Sequence, residues 1–396
     1  MTTTGTRFTQ RLLPDFFDRV QRHVRESAAE EGLDAVFTDD PEDVAYLTGF
    51  FHHPCERPVA VWLPVDGPCV LLLPELERDH AESQQARAEL AAYAEYPGVV
   101  PPFAALAARA GSGGSVGHSV STSYQRLAKA REQLPQWHFR PTELLVTTRG
   151  IRHPEEIALH QEAARITDLM LVAGVEWVAE AITGGGTMPS EAELASHVTS
   201  TRVRTMYAEH DDVVVVSPLA GGLVYAGPNS AYPHGLPSGY RLQAGDTFML
   251  SLGCAVGGRF VEGERTFILG EPGADQLRYY EAVRSAQEIG GQAIAPGVPC
   301  AEANRICLQV IRDAGLGEFI RHRQGHGIGL GMHEPPWLED GDQTLLAEGM
   351  IVSNEPGIYV RGRAGYRISD SMLVTADGSR PLTSYPRDLT NAVIPF

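Results

Sequence analysis

Apolar residues recur at helical spacing over residues 14–32, where Phe16, Phe17, Val20, Val24 and Ala28 fall on one face and predict a surface helix. The pattern then shortens to strand length. Residues 34–38 and 59–64 are compact apolar runs, and residues 69–74 form a third, set against the second by a turn at Asp66-Gly67. Helical stretches expected near 75–92 and 123–133 alternate with strand-like pieces near 115–117 and 137–146. This alternation predicts an α/β domain over residues 1–148.

A different regime begins at residue 149. Pro154 suits the first turn of a helix, with Glu155 and Glu156 at its positive end, and apolar positions carry that helix to about residue 182, where Gly184-Gly185-Gly186 stops it. Ser190 and Glu193 have the spacing of a capping box for a second helix. Further helices are expected at about 274–294 and 301–314, and strands at 213–216, 247–252, 259–268, 350–353, 358–360 and 371–375. Strands grouped around helical pairs predict an α+β domain over residues 149–396.

Composition narrows the class of protein. The chain has 396 residues, 43% hydrophobic and 21% charged, as in soluble globular proteins. A formal charge of −18 argues against nucleic acid as a partner, because phosphate binding needs a basic surface. The five cysteines contain no Cys-x-x-Cys pair, so neither a zinc knuckle nor a disulfide framework is indicated. With no signal-type apolar run at the amino terminus and no stretch of 18 apolar residues, the expectation is a reduced, cytoplasmic protein with no membrane partner.

Six segments of the second region are polar where a structural strand would be apolar. They are residues 226–235, containing His234; 245–253, containing Ser251; 259–267, containing Glu262 and Glu264; the glycine-rich 325–336, containing His326 and His333; 353–359, containing Glu355; and 365–370, containing Ser369. Glycines at 325, 327, 329 and 331 suggest a backbone that a ligand approaches closely.

In order and spacing these segments resemble the pita-bread family, which includes methionine aminopeptidase, prolidase, aminopeptidase P and creatinase. The resemblance implies a pita-bread carboxy-terminal domain preceded by a creatinase-type α/β domain. In the family's metallopeptidases two metal ions are held by Asp, Asp, His, Glu and Glu. Those positions fall on Ser251, Glu262, His326, Glu355 and Ser369, so two carboxylates are replaced by neutral hydroxyls. Two divalent cations need bridging carboxylates to offset their repulsion, and serine supplies no fixed charge.

Among the family's members, the metal-free creatinase branch is the closest in these residues. It implies His234 as general acid and base, Glu264 and Glu355 as a clamp for a substrate cation, and His326 as an orienting group. Glu262, His333, Ser251 and Ser369 would line the substrate, and Arg57 would bind its carboxylate across a homodimer interface. The expected activity is hydrolysis of a C–N bond in a small guanidino, amidine or amide-containing carboxylic acid, with no metal and no cofactor. The alternatives are a metal-dependent Xaa-Pro peptidase or lyase, with one divalent ion on Glu262, His326 and Glu355, and a non-catalytic ligand-binding homologue. The ordinary readings of His234, Glu262 and Arg57 are surface residues. His52 and His53, beside Cys55, are adjacent and point opposite ways on an extended chain, which disfavours a metal site.

Overall fold

The computed structural model describes residues 7–396, and the chain divides into two compact units. In the unit Arg11–Arg149 the predicted first helix spans Pro14–Glu30 and buries Phe16, Phe17, Val20, Val24 and Ala28. A six-stranded sheet runs in the order Glu89–Tyr93, Val70–Pro74, Ala60–Pro64, Ala35–Thr38, Gly114–Ser119, Trp137–Thr142. Phe37, Trp62, Phe103 and Phe139 fill its core.

Two expectations for this unit change. The helix expected over 75–92 is a short turn and a helix ending at Ser83, after which Glu89–Tyr93 pairs in parallel with Val70–Pro74. The alanine-rich composition favours helix, but an open sheet edge outweighs a propensity of a few tenths of a kcal/mol per residue. The last strand stops at Thr142 and gives way to a helix, Leu144–Gly150.

The second unit includes Gly150–Phe396. Helix α1 (Pro154–Thr183) opens with Glu156 accepting from the His153 N–H at 3.1 Å, and its carboxylate reaches the buried Arg259 at 3.0 Å. Helix α2 (Glu191–Glu209) carries the predicted capping box between Ser190 and Glu193. Helices α3 (Ala274–Ala293) and α4 (Cys300–Asp313) pack on each other. The valine run 213–216 is irregular backbone; the strand lies earlier, at His210–Asp212, paired with Phe8–Thr9.

The strands that position the site are β1 (Gly222–Ala226), β2 (Thr247–Val256), β3 (Arg259–Leu269), β4 (Gly325–Gly327), β5 (Glu334–Leu338), β6 (Ile351–Asn354), β7 (Gly357–Val360), β8 (Ala364–Arg367) and β9 (Ser369–Thr375). The main sheet has the order β5-β4-β6-β9-β3-β2-β1, and β7 and β8 form a hairpin of their own. Helix α1 covers β2 and β3. Gly174 lets it approach closely, because a Cβ there would lie 2.8 Å from a Leu250 methyl. One face of β2 and β3 is thus sealed by the helix, and the side chains that alternate away from it face the candidate site. Gly263 has the sealed side, facing Thr167 and Thr383. Its neighbours Glu262 and Glu264 therefore share the other.

Candidate active site

The glycine-rich segment is built for close packing of strands. A Cβ at Gly325 would lie 2.1 Å from the Ser353 carbonyl oxygen, and one at Gly327 would lie 2.3 Å from that of Pro335. At Gly329 it would strike the buried ion pair of Arg152 and Glu334. Neighbouring protein atoms, rather than a ligand, exclude a side chain at these three positions.

This packing fixes His326 between Glu262 and Glu355. Its backbone N–H donates to Ser353 Oγ at 3.0 Å, and its Nδ1 lies 2.9 Å from the Gly327 carbonyl oxygen, which places a proton on Nδ1. Nε2 is turned inward, 3.2 Å from Glu355 Oε1 and 3.7 Å from Glu262 Oε2, without hydrogen-bond alignment to either. The His333 ring lies beside that of His326, with centroids 4.0 Å apart.

The electrostatics follow from burial and proximity. Burial and the neighbouring charge of Glu355 push Glu262 up to about 8. Burial opposes the charge on His326, yet Glu355 and Glu262 outweigh it and raise the ring to about 9. Burial also opposes ionisation of Glu355, but His326 holds it down at about 2. Desolvation, then the charge of His326, push His333 down to about 4, so that imidazole is neutral.

The other half of the pocket is organised by Arg367, which the motif spacing did not single out. Its guanidinium is buried and grips Glu264 through both oxygens, Nη2 to Oε1 at 2.8 Å and Nε to Oε2 at 2.5 Å. It also donates to Ser251 Oγ at 3.0 Å and to the Tyr359 hydroxyl at 3.1 Å. Tyr359 in turn meets His322 Nε2 at 2.9 Å. Ser251 and Glu264 are direct cross-strand partners, and the serine hydroxyl donates to the glutamate. A signal for Arg367 did exist: a second carboxylate beside Glu262 on one strand face needs a counter-charge, and Arg367 ends the hairpin strand β8 two residues before Ser369.

The remaining positions fall as follows. Ser369 Oγ donates to Glu262 Oε1 at 2.8 Å. His234 is exposed, next to Pro233, whose carbonyl accepts from Arg367 at 3.5 Å. Arg57 belongs to the amino-terminal unit, where it is exposed and paired with Glu56 and Glu95.

The chemistry of the donor set fits a divalent cation in one half only. Glu262, His326 and His333 offer ligand atoms all within 4.8 Å of one another, as do Glu262, Glu264 and Glu355. A buried imidazole nitrogen aimed between two carboxylates is a donor set of the kind that holds such an ion. A pair of ions does not fit, because Ser251 and Ser369 carry no charge and the Arg367 guanidinium is fixed beside Glu264.

Residues 158–376 match metallopeptidase family M24, and residues 19–150 match the creatinase/prolidase N-terminal domain. An uncharacterized peptidase of Staphylococcus aureus (strain USA300) is 28% identical over 365 residues, which cover 89% of this chain and 95% of that one. Among solved structures, a prolidase from Thermococcus sibiricus superposes with a TM-score of 0.82 at 26% identity, covering 95% of this chain and 98% of its own. An Xaa-Pro dipeptidase from Bacillus anthracis gives 0.81 at 25% identity, covering 95% and 99%.

These findings correct two expectations drawn from the creatinase resemblance. The relatives are peptidases and prolidases, which overturns the metal-free amidine-type hydrolase and, with it, the absence of a metal cofactor. Geometry gives the physical reason. Glu264 is already neutralised by Arg367 and Glu355 is already paired with His326, so the two do not form an open clamp for a substrate cation. What stands is a hydrolase fold for cleaving C–N bonds. Sequence match and superposition agree, and the chain belongs to metallopeptidase family M24, with a creatinase-type domain ahead of a pita-bread domain.

Proposed function

We propose that this chain is a cation-dependent peptidase of the prolidase kind, which hydrolyses the amide bond of short peptides. The observation that carries the reading is the buried Nε2 of His326, turned inward 3.2 Å from Glu355 Oε1 and 3.7 Å from Glu262 Oε2. The prolidase and Xaa-Pro dipeptidase structures that the fold matches support the substrate class.

Glu262, His326 and Glu355 would hold the ion. A divalent cation there supplies a Lewis acid for the scissile carbonyl and acidifies a water molecule. Ser369 fixes Glu262 through Oε1 and turns its other oxygen toward His326. Glu355 stays ionised and directs Oε1 at His326, so its second oxygen takes a proton from water and returns it to the leaving nitrogen. His234, exposed beside the loop carbonyl that Arg367 holds, donates a hydrogen bond to the substrate carbonyl. His333, neutral at physiological pH, lines the mouth of the site.

The test is hydrolysis of a panel of Xaa-Pro dipeptides by purified protein with Mn2+ or Co2+ added, against the same protein after chelation. Cleavage that depends on the ion, and that falls by about 100-fold or more in His326→Ala, is the expected result. Turnover indifferent to the chelator would overturn the reading.

A further inference from the structure

The second half of the pocket points to a different charge arrangement from that of a two-metal site. At Ser251 a carboxylate is missing, and on the neighbouring strand, directly across the pair, Glu264 supplies one. Arg367 donates to Oε1 of Glu264 and lies 2.5 Å from its Oε2, and Oε1 also accepts from the Ser251 hydroxyl. A cation approaching either oxygen of Glu264 would meet the Arg367 guanidinium beside it. Arg367 is held independently by the Tyr359 hydroxyl and the Pro233 carbonyl, so its positive charge stays in place.

Glu262 is limited in the same way. Ser369 Oγ occupies its Oε1 at 2.8 Å, leaving only Oε2 turned toward His326. The Ser369 hydroxyl thus competes with a second cation for Oε1. His333 offers a further imidazole nitrogen within 4.8 Å of the ligand atoms of Glu262 and His326. A fixed guanidinium beside the pocket further repels a second ion.

We propose that the site takes one divalent cation, on Glu262, His326, Glu355 and His333, and that the Arg367 guanidinium clasped by Glu264 occupies the place of a second. This rests on the cation-dependent reading above and adds to it the stoichiometry, a fourth ligand and a built-in cation.

The experiment is titration of the full-length, chelator-stripped protein with Mn2+, followed by calorimetry and by electron paramagnetic resonance. One ion per chain, with the six-line signal of an isolated Mn2+, is expected. His333→Ala should weaken binding by about ten-fold or more while keeping one ion per chain, since it removes one ligand and leaves the other three. The triple variant S251D/E264T/S369E, which restores the missing carboxylates and releases Arg367, should bind a second ion and show spin coupling. Circular dichroism melts on each variant separate lost binding from lost folding. Two ions in the native chain, no Mn2+ binding at all, or unchanged affinity in a folded His333→Ala would overturn the inference. Peptide cleavage is measured apart: one bound Mn2+ without Xaa-Pro hydrolysis supports the inference and sinks only the prolidase reading.

Discussion

Glu264 and Arg367 are 5% and 4% exposed, so neither charge is solvated and each depends on the other. Removing one partner leaves a buried uncompensated charge. Glu264→Gln should therefore cost about 3–5 kcal/mol of unfolding free energy, whereas the double variant E264L/R367M, which removes both charges, should cost less than the single one. Urea denaturation of the set decides it, and equal losses for single and double variants would show that the pair carries no coupling. A steric prediction belongs to the same scale. Gly327→Ala places a methyl against backbone oxygens at 2.3 and 2.7 Å, which cannot swing away as a flexible side chain would. A loss of about 3 kcal/mol is expected, visible as a lower urea midpoint. The positions of His326, Glu262, Glu355, Ser251 and Ser369 were legible because ordered motifs fix ligand positions by count along the chain. Arg367 was not, because spacing along one strand is silent about which charge faces it from another. The same blindness made Glu264 and Glu355 look like a free clamp when each already had its internal cation.

At the scale of elements, periodicity identified the helices Pro14–Glu30, Pro154–Thr183 and Ala274–Ala293, whose apolar faces repeat over several turns. It failed over 84–92, where composition favours helix and only the neighbouring strand Val70–Pro74 decides for strand at Glu89–Tyr93. The short helix Pro41–Thr48 yields a pH prediction. Asp40 caps it, accepting from the Glu42 and Asp43 N–H groups at 3.0 and 3.2 Å. Burial, then the adjoining Asp40, push Glu42 up to about 8. The folded chain thus takes up a proton here that the unfolded chain has released above 4.5. Stability from this group is complete below that value and declines as pH rises toward 8. Glu42→Gln keeps a hydrogen-bond donor and removes the titration. It should match the native chain near pH 4 and exceed it by at least about 1 kcal/mol at pH 8. Chemical denaturation across that range tests the sign: a variant less stable at pH 8 than at pH 5, relative to the native chain, would reverse it.

For the whole molecule, the consequence is linkage between ion and fold. The carboxylates around His326 come from β3 and from the residue after β6, and the histidine comes from β4, strands far apart in sequence and joined only in the folded sheet. The unfolded chain cannot assemble them, so an ion that binds there binds the native state alone. At free Mn2+ about 100 times its Kd, the unfolding free energy should rise by about 2.7 kcal/mol. The gain should disappear on chelation, and in His326→Ala, which removes the central ligand without disturbing the Arg367–Glu264 pair. No helix among the described residues is long and apolar enough to cross a membrane. With a formal charge of −18, any divalent ion is also drawn weakly to the acidic surface, and that contribution fades with salt. The site-specific part is what persists at high ionic strength. A stabilisation by Mn2+ that vanishes at about 0.5 M salt, where screening is nearly complete, would place the ion on the surface rather than at His326.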